Sequence, residues 1–89
     1  MIRKAVEIVN ERGFHARAAS KFVELATRFR SRITVALEGR EVDGKSILGI
    51  LTLAAPRGAA LDLTADGPDE VEALDALAGL IADRFGEDH

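Results

Sequence analysis

The hydrophobic period changes repeatedly along this chain, and each change marks an element with one face to bury. Val6 and Ile8 alternate with Glu7 and Asn10, Ile33, Val35 and Leu37 with Thr34 and Glu38, and Leu61 and Leu63 with Asp62 and Thr64. Successive side chains of a strand point to opposite faces, so these stretches predict three half-buried strands. A short fourth strand is expected at Arg40-Glu41-Val42-Asp43, because Glu38-Gly39 sets before it a glycine able to take the positive φ of a tight hairpin. From Ala16 to about Phe29 the spacing changes: Ala19, Phe22, Ala26 and Phe29 recur at three and four, while Lys21, Glu24 and Arg28 point elsewhere. From Pro68 to about Phe85, the residues Val71, Leu74, Leu77, Ala78, Ile81 and Phe85 do the same. Pro68 suits the first turn of that helix, and Asp69, Glu70 and Glu72 sit favourably near its positive end. A shorter helix is expected over Ser46 to Leu53, with Ser46 as N-cap after an Asp43-Gly44 turn.

The order is strand, helix, strand, strand, short helix, strand, helix. Strands with one apolar face need helices on that face only, which predicts an α+β fold: a four-stranded, mainly antiparallel sheet covered on one side. With 89 residues, 47% of them hydrophobic, the chain reads as one domain over 1–89 with a single core and no room for a deep, enclosed active site. Gly86-Glu87-Asp88-His89 reads as a frayed tail and His89 as a surface residue.

There are no cysteines, which excludes disulfides and thiolate metal sites, and His15 and His89 are too distant in sequence to make a good metal pair. No metal or other cofactor is expected. The missing disulfides, together with the lack of an apolar leader or of an apolar run of about 20 residues, predict a soluble cytoplasmic protein without membrane insertion. The net charge of -3 hides an asymmetry: residues 1–32 hold eight Lys/Arg against three Asp/Glu, and residues 33–89 hold four against twelve. The basic part carries His15, and its field would attract an acidic protein surface or an anionic donor. Nucleic acid is a poor partner, because the basic residues are scattered and Tyr and Trp are absent.

Gly13-Phe14-His15-Ala16-Arg17 places a histidine where an extended segment becomes a helix. The first turn of a helix presents unpaired N–H donors and roughly half a positive charge, which stabilise an anion and keep a neighbouring imidazole neutral and nucleophilic. Arg17 adds a planar fork of donors suited to phosphate oxygens. Nucleophile, anion cradle and counter-charge thus lie within five residues, although a histidine at a helix start is more often a solvated loop residue. Gly39-Arg40-Glu41-Val42-Asp43-Gly44-Lys45-Ser46 matches the Walker A pattern in every position. Glu41 and Asp43 would point carboxylates into a phosphate cradle, and Arg40 to Val42 read as a return strand, so nucleotide binding is disfavoured. The helix after Ser46 is too apolar for its length: Ile47, Leu48, Ile50, Leu51 and Leu53 cannot share one buried face. Either the helix is enclosed on all sides, or Ile47, Leu48 and Leu51 form an exposed docking patch.

Gly13-Phe14-His15-Ala16-Arg17 with Ala18-Ala19-Ser20-Lys21-Phe22-Val23-Glu24, and later Gly44-Lys45-Ser46-Ile47-Leu48-Gly49-Ile50-Leu51, resemble the two signature segments of HPr. HPr is the histidine-containing phosphocarrier of bacterial phosphotransferase systems, and the likeness spans nearly the whole chain. It implies an open-faced β-sandwich with three helices on one face. It also implies that His15 accepts a phosphoryl group on Nδ1 from phosphorylated enzyme I, that Arg17 assists its transfer to an enzyme IIA, and that Ser46 is the regulatory site of HPr kinase/phosphorylase. Such a protein is a monomeric carrier rather than an enzyme, serving sugar uptake or the nitrogen-related branch of these systems. The chain departs from the family pattern at Ala18, where proline is usual; this removes a residue that stiffens the first turn and leaves the N–H donors in place. The competing reading is a phosphorylation-dependent regulatory protein that binds through the Ser46 helix patch.

Overall fold

A computed structural model describes residues 1–89. The elements follow the predicted order: β1 (Ile2–Glu7), α1 (Ala16–Ala26), β2 (Arg32–Leu37), β3 (Arg40–Asp43), α2 (Ile47–Leu53), β4 (Ala60–Asp66) and α3 (Glu70–Ala82), then a short 3₁₀ turn at Arg84–Gly86. The sheet order is β1-β4-β2-β3 and every pairing is antiparallel. Ile33, Val35, Leu61, Leu63 and Ala65 turn one face of the sheet inward, where Phe22 of α1, Ile50 of α2 and Leu74, Leu77 and Ile81 of α3 cover it. No helix is long and apolar enough to cross a membrane.

Alternation placed the core side of the strands correctly, with one error of kind. Asn10 is not an outward polar residue: β1 stops at Glu7, position 10 has the same parity as Val6 and Ile8, and the side chain is fully buried. Ile8, just past the strand, stays in the core and exchanges hydrogen bonds with the 58–59 segment, Ile8 N to Ala59 O at 2.9 Å and Gly58 N to Ile8 O at 2.7 Å. The β2–β3 hairpin uses positive φ at both Glu38 (51°) and Gly39 (83°), the pair of conformations that matches the twist of two antiparallel strands.

Both long helices end earlier than their apolar periods. α1 stops at Ala26, where Arg28 N and Phe29 N turn to the carbonyls of Leu25 and Ala26 and Thr27 Oγ1 bonds Glu24 O. The Lys45 ammonium then binds Phe29 O at 2.8 Å, which holds the chain outside the helix. Ala18 and Val23 join the buried face that the spacing had assigned to Ala19, Phe22 and Ala26. α3 stops at Ala82, and Phe85 is buried from a left-handed backbone (φ 54°) rather than from the helix. Val71, expected on the apolar face, is 54% exposed; the inward positions are Ala73, Leu74, Leu77 and Ile81.

Asp69 precedes α3 without capping it by a side-chain bond. Its carboxylate reaches across to the α1–β2 connection instead, accepting from Arg30 N at 2.8 Å, Ser31 N at 2.9 Å and Ser31 Oγ at 2.5 Å. The Ser31 hydroxyl and then the Arg30 amide favour the ionised form, and the carboxyl pKa falls from 3.8 to about 2. A carboxylate depressed in the folded state contributes stability that is complete above its unfolded value and lost as pH falls through the folded one. Urea midpoints should therefore drop between pH 3.8 and about 2, and Asp69→Asn should flatten that part of the profile. An unchanged acid limb in the variant would mean that other carboxylates set it.

Candidate functional site

His15 is the N-cap of α1. Its carbonyl accepts the first helical bond, from Ala19 N at 2.8 Å, and its own ring closes the end, Nδ1 accepting from Arg17 N at 3.3 Å. The residue before it is not part of the surface: Phe14 is 3% exposed and meets Phe22 edge to face at 5.4 Å. Gly13 makes the turn that lets Phe14 go in and His15 come up. Its φ is +68°, and a Cβ there would lie 2.5 Å from Ala55 O, so both conformation and space demand glycine. Phe14 N donates to the same Ala55 O at 2.9 Å, which ties the histidine loop to the chain just after α2.

The site is less open than expected. The His15 side chain is 23% exposed, and the reason is the tail. Far from fraying, the C-terminal residues fold back over the loop: Glu11 N donates to His89 O at 3.0 Å, Glu87 N to Arg84 O at 2.9 Å, and the Lys21 ammonium to Phe85 O at 2.7 Å. The buried Phe85 ring packs 5.3 Å from Phe14 and anchors the segment. This brings the Glu87 carboxylate against the ring, where Oε2 pairs with His15 Nε2. Oε1 accepts from Asn10 Nδ2 at 3.1 Å, and the same amide nitrogen donates to Gly13 O at 2.8 Å. Burial alone would raise the Glu87 pKa, but the bonds from His15 and Asn10 and the charges of His15 and Arg12 outweigh it and hold the carboxyl below its usual range.

Glu87 and Asn10 are the site residues that sequence reasoning missed. The available signal was Phe85: a large apolar side chain two positions before Glu87 has to be buried, and burying it holds the tail on the protein. The remaining wall of this open, wholly polar basin comes from Glu11, Arg12, Arg17, Lys21, Asp88 and His89. His89 is exposed, as expected. The field around His15 is thus mixed rather than purely basic, because the acidic end of the chain returns to the basic beginning. Arg17 is exposed and makes no ion pair.

Ser46 caps α2 as expected, Oγ accepting from Gly49 N at 3.0 Å. Of the three residues proposed for a docking patch, Ile47 is 43% and Leu48 73% exposed, whereas Leu51 is half-buried and packs against the core beside Ile50 and Leu53. The apolar surface of α2 is therefore narrower than the composition suggested. The Walker-like segment is a hairpin strand and turn, in which Lys45 N donates to Asp43 Oδ1 at 2.9 Å and Gly44 fits against Ile33, whose Cγ2 would lie 2.5 Å from an added Cβ. It forms no phosphate cradle.

Residues 2–83 match the family model for the PTS HPr component phosphorylation site. The chain is 49% identical to phosphocarrier protein HPr of Cupriavidus necator, with 98% of each chain covered, and 45% identical to that of Neisseria meningitidis, again with 98% of each covered. The crystal structure of HPr-C-His from Thermoanaerobacter tengcongensis superposes with a TM-score of 0.96 at 43% identity, covering 100% of both chains. HPr proteins are carriers of phosphotransferase systems rather than catalysts. The open-faced sheet with three helices, the helix that begins on His15 and the likeness over the full length agree: the chain belongs to the HPr family of phosphocarrier proteins.

Proposed function

We propose that His15 accepts a phosphoryl group on Nδ1 from phosphorylated enzyme I and passes it to an enzyme IIA, in sugar uptake or in the nitrogen-related branch of these systems. The observation that carries this reading is the placement of His15 Nδ1 on the N–H of Arg17 at the start of α1. A phosphoryl group added at that nitrogen would enter the first turn, where free backbone donors and the helix field favour its charge. Arg17 lines the same basin with its guanidinium unpaired, able to follow charge that moves from donor to acceptor. An accessible nitrogen on a shallow surface suits a carrier, since donor and acceptor proteins must each approach it in line. The chain acts in this reading as a monomeric cytoplasmic domain over 1–89, needing no cofactor.

Incubation with enzyme I and phosphoenolpyruvate should add one acid-labile phosphate, and subsequent addition of enzyme IIA should remove it. A chain that enzyme I does not label would overturn the proposal.

Ser46 is proposed as the regulatory phosphorylation site for HPr kinase/phosphorylase, and Ile47, Leu48 and Leu51 as the docking patch. The exposure of Leu48 favours this most. Leu48→Glu should weaken association with enzyme I at least tenfold, about 1.4 kcal/mol, with little change in the urea midpoint. A large stability loss with unaltered affinity would instead make Leu48 a structural residue. The same surface supports the second reading, a regulatory binder controlled through Ser46; transfer kinetics to enzyme IIA separate the two.

A further inference from the structure

We propose that Glu87 is the positioning residue of the phosphoryl site: held by Asn10, its carboxylate keeps the ring proton of His15 on Nε2 and leaves Nδ1 as the nitrogen that attacks phosphorus. This rests on the carrier reading above and explains how one nitrogen of the ring is selected. A neutral imidazole carries one proton, and the partner of each nitrogen decides where it sits. Nδ1 faces a donor, Arg17 N, and so presents a lone pair. Nε2 faces Oε2 of Glu87, an ionised carboxylate that can only accept. Both contacts select the same tautomer.

The carboxylate is held in place by more than the ring. Asn10, fully buried, bridges Glu87 Oε1 and Gly13 O, so the acid and the histidine loop share one rigid support. Phe85 fixes the backbone two residues earlier, and the Glu11–His89 bond fixes it two residues later. Other charged groups face the basin, namely Glu11, Arg12, Arg17, Lys21, Asp88 and His89. Among the side chains only Glu87 bonds the ring, and Lys21 is engaged by Phe85 O.

The proton on Nε2 matters in both directions of transfer. In the accepting step the Nδ1 lone pair forms the N–P bond while the donor's bond to phosphorus breaks, its electron pair returning to the donor atom. The Nε2 proton stays, so the ring becomes an N-phosphoryl imidazolium with its positive charge against Glu87. In the donating step the N–P electrons return to Nδ1 and neutral imidazole leaves, regenerating the starting tautomer. Had the proton departed, the leaving group would be an imidazolide anion, a far worse one. Glu87 thereby serves as the orienting partner that a nucleophilic histidine needs, taking no proton and not touching phosphorus itself.

The test uses the full chain with ¹⁵N-labelled histidine, observed unphosphorylated above pH 8, together with transfer rates to enzyme IIA. The wild-type chain should show Nδ1 as the unprotonated nitrogen. Glu87→Ala should populate the Nδ1–H form and slow transfer by about tenfold or more. Glu87→Gln, whose amide oxygen still accepts from Nε2–H, should keep the tautomer but lose rate for want of charge. Glu87→Asp should recover part of both, which a purely structural tail contact would not require. An imidazole spectrum unchanged in Glu87→Ala, or a Glu87→Gln rate equal to wild type, overturns the proposal. The spectrum is read without phosphorylation, so its failure is distinct from failure of enzyme I to label the wild-type chain.

Discussion

His15→Ala is expected to carry no acid-labile phosphate after incubation with enzyme I and phosphoenolpyruvate, a complete loss of signal rather than a partial one. Alanine has no nucleophile, and the only other histidine offers no substitute. His89 lies exposed at the end of the chain, outside the first turn of α1, and only its backbone is held, by Glu11 N. The folded state should survive. The substitution removes a helix cap, worth about 1 kcal/mol, and one of the contacts that join the tail to the loop, but it opens no hole in the core. Circular dichroism and a urea midpoint near wild type, with no phosphate on the protein, are the expected pair of results. Label persisting in the variant would place the acceptor elsewhere and end the case for His15.

The strand and helix layout was legible because most of it depends on burial with a fixed period. Val35 on one strand and Leu63 on the next are both fully buried and lie opposite each other in the register, as alternation required. Two helix starts were legible for the same local reason, since His15 and Ser46 are both N-caps and caps act over three or four residues, whereas α3 begins at Glu70 rather than at the expected Pro68. What periodicity could not locate were the ends of helices and the tertiary hydrogen bonds. Phe29 and Phe85 have the right spacing to extend α1 and α3, yet the chain leaves the helix before each. Lys45 captures the Phe29 carbonyl and Lys21 that of Phe85, contacts between residues 16 and 64 positions apart.

The candidate site divides along the same line. His15 and Arg17 are two positions apart, and their relation follows from a helix beginning between them. Glu87 is 72 positions from His15, and nothing local in Gly86-Glu87-Asp88-His89 distinguishes it from a solvated end. Asn10 was assigned outward because its side chain is polar, whereas the strand ends three residues sooner and the amide, at the parity of Val6 and Ile8, turns in to bridge the loop and the tail. The acidic tail and the basic beginning of the chain were visible as a charge asymmetry. Only the fold shows that the two meet at the histidine.

Phe22→Ala should have the largest effect on stability, because Phe22 is fully buried and its ring is part of the support beneath the site. Phenylalanine to alanine in a core costs about 3–5 kcal/mol through lost burial and the cavity left behind. For a domain of this size that corresponds to a fall in Tm of about 15–30 °C. The loss also reaches the site, by a path of contacts. Phe22 holds Phe14 edge to face at 5.4 Å, and Phe14 meets Phe85 at 5.3 Å. Phe14 is the residue before His15, and Phe85 anchors the segment that carries Glu87. Amide hydrogen exchange in Phe22→Ala should therefore accelerate at Glu87 and across residues 13–15 by more than the global destabilisation accounts for. Phe29→Ala is the matching control: this ring is half-buried in the segment after α1 and has no aromatic partner, so its removal should cost less and leave exchange at Glu87 in step with global stability. A Phe22→Ala chain that loses less stability than Phe29→Ala, or whose tail exchanges no faster than the global opening predicts, would show that the aromatic cluster does not support the histidine and the tail together.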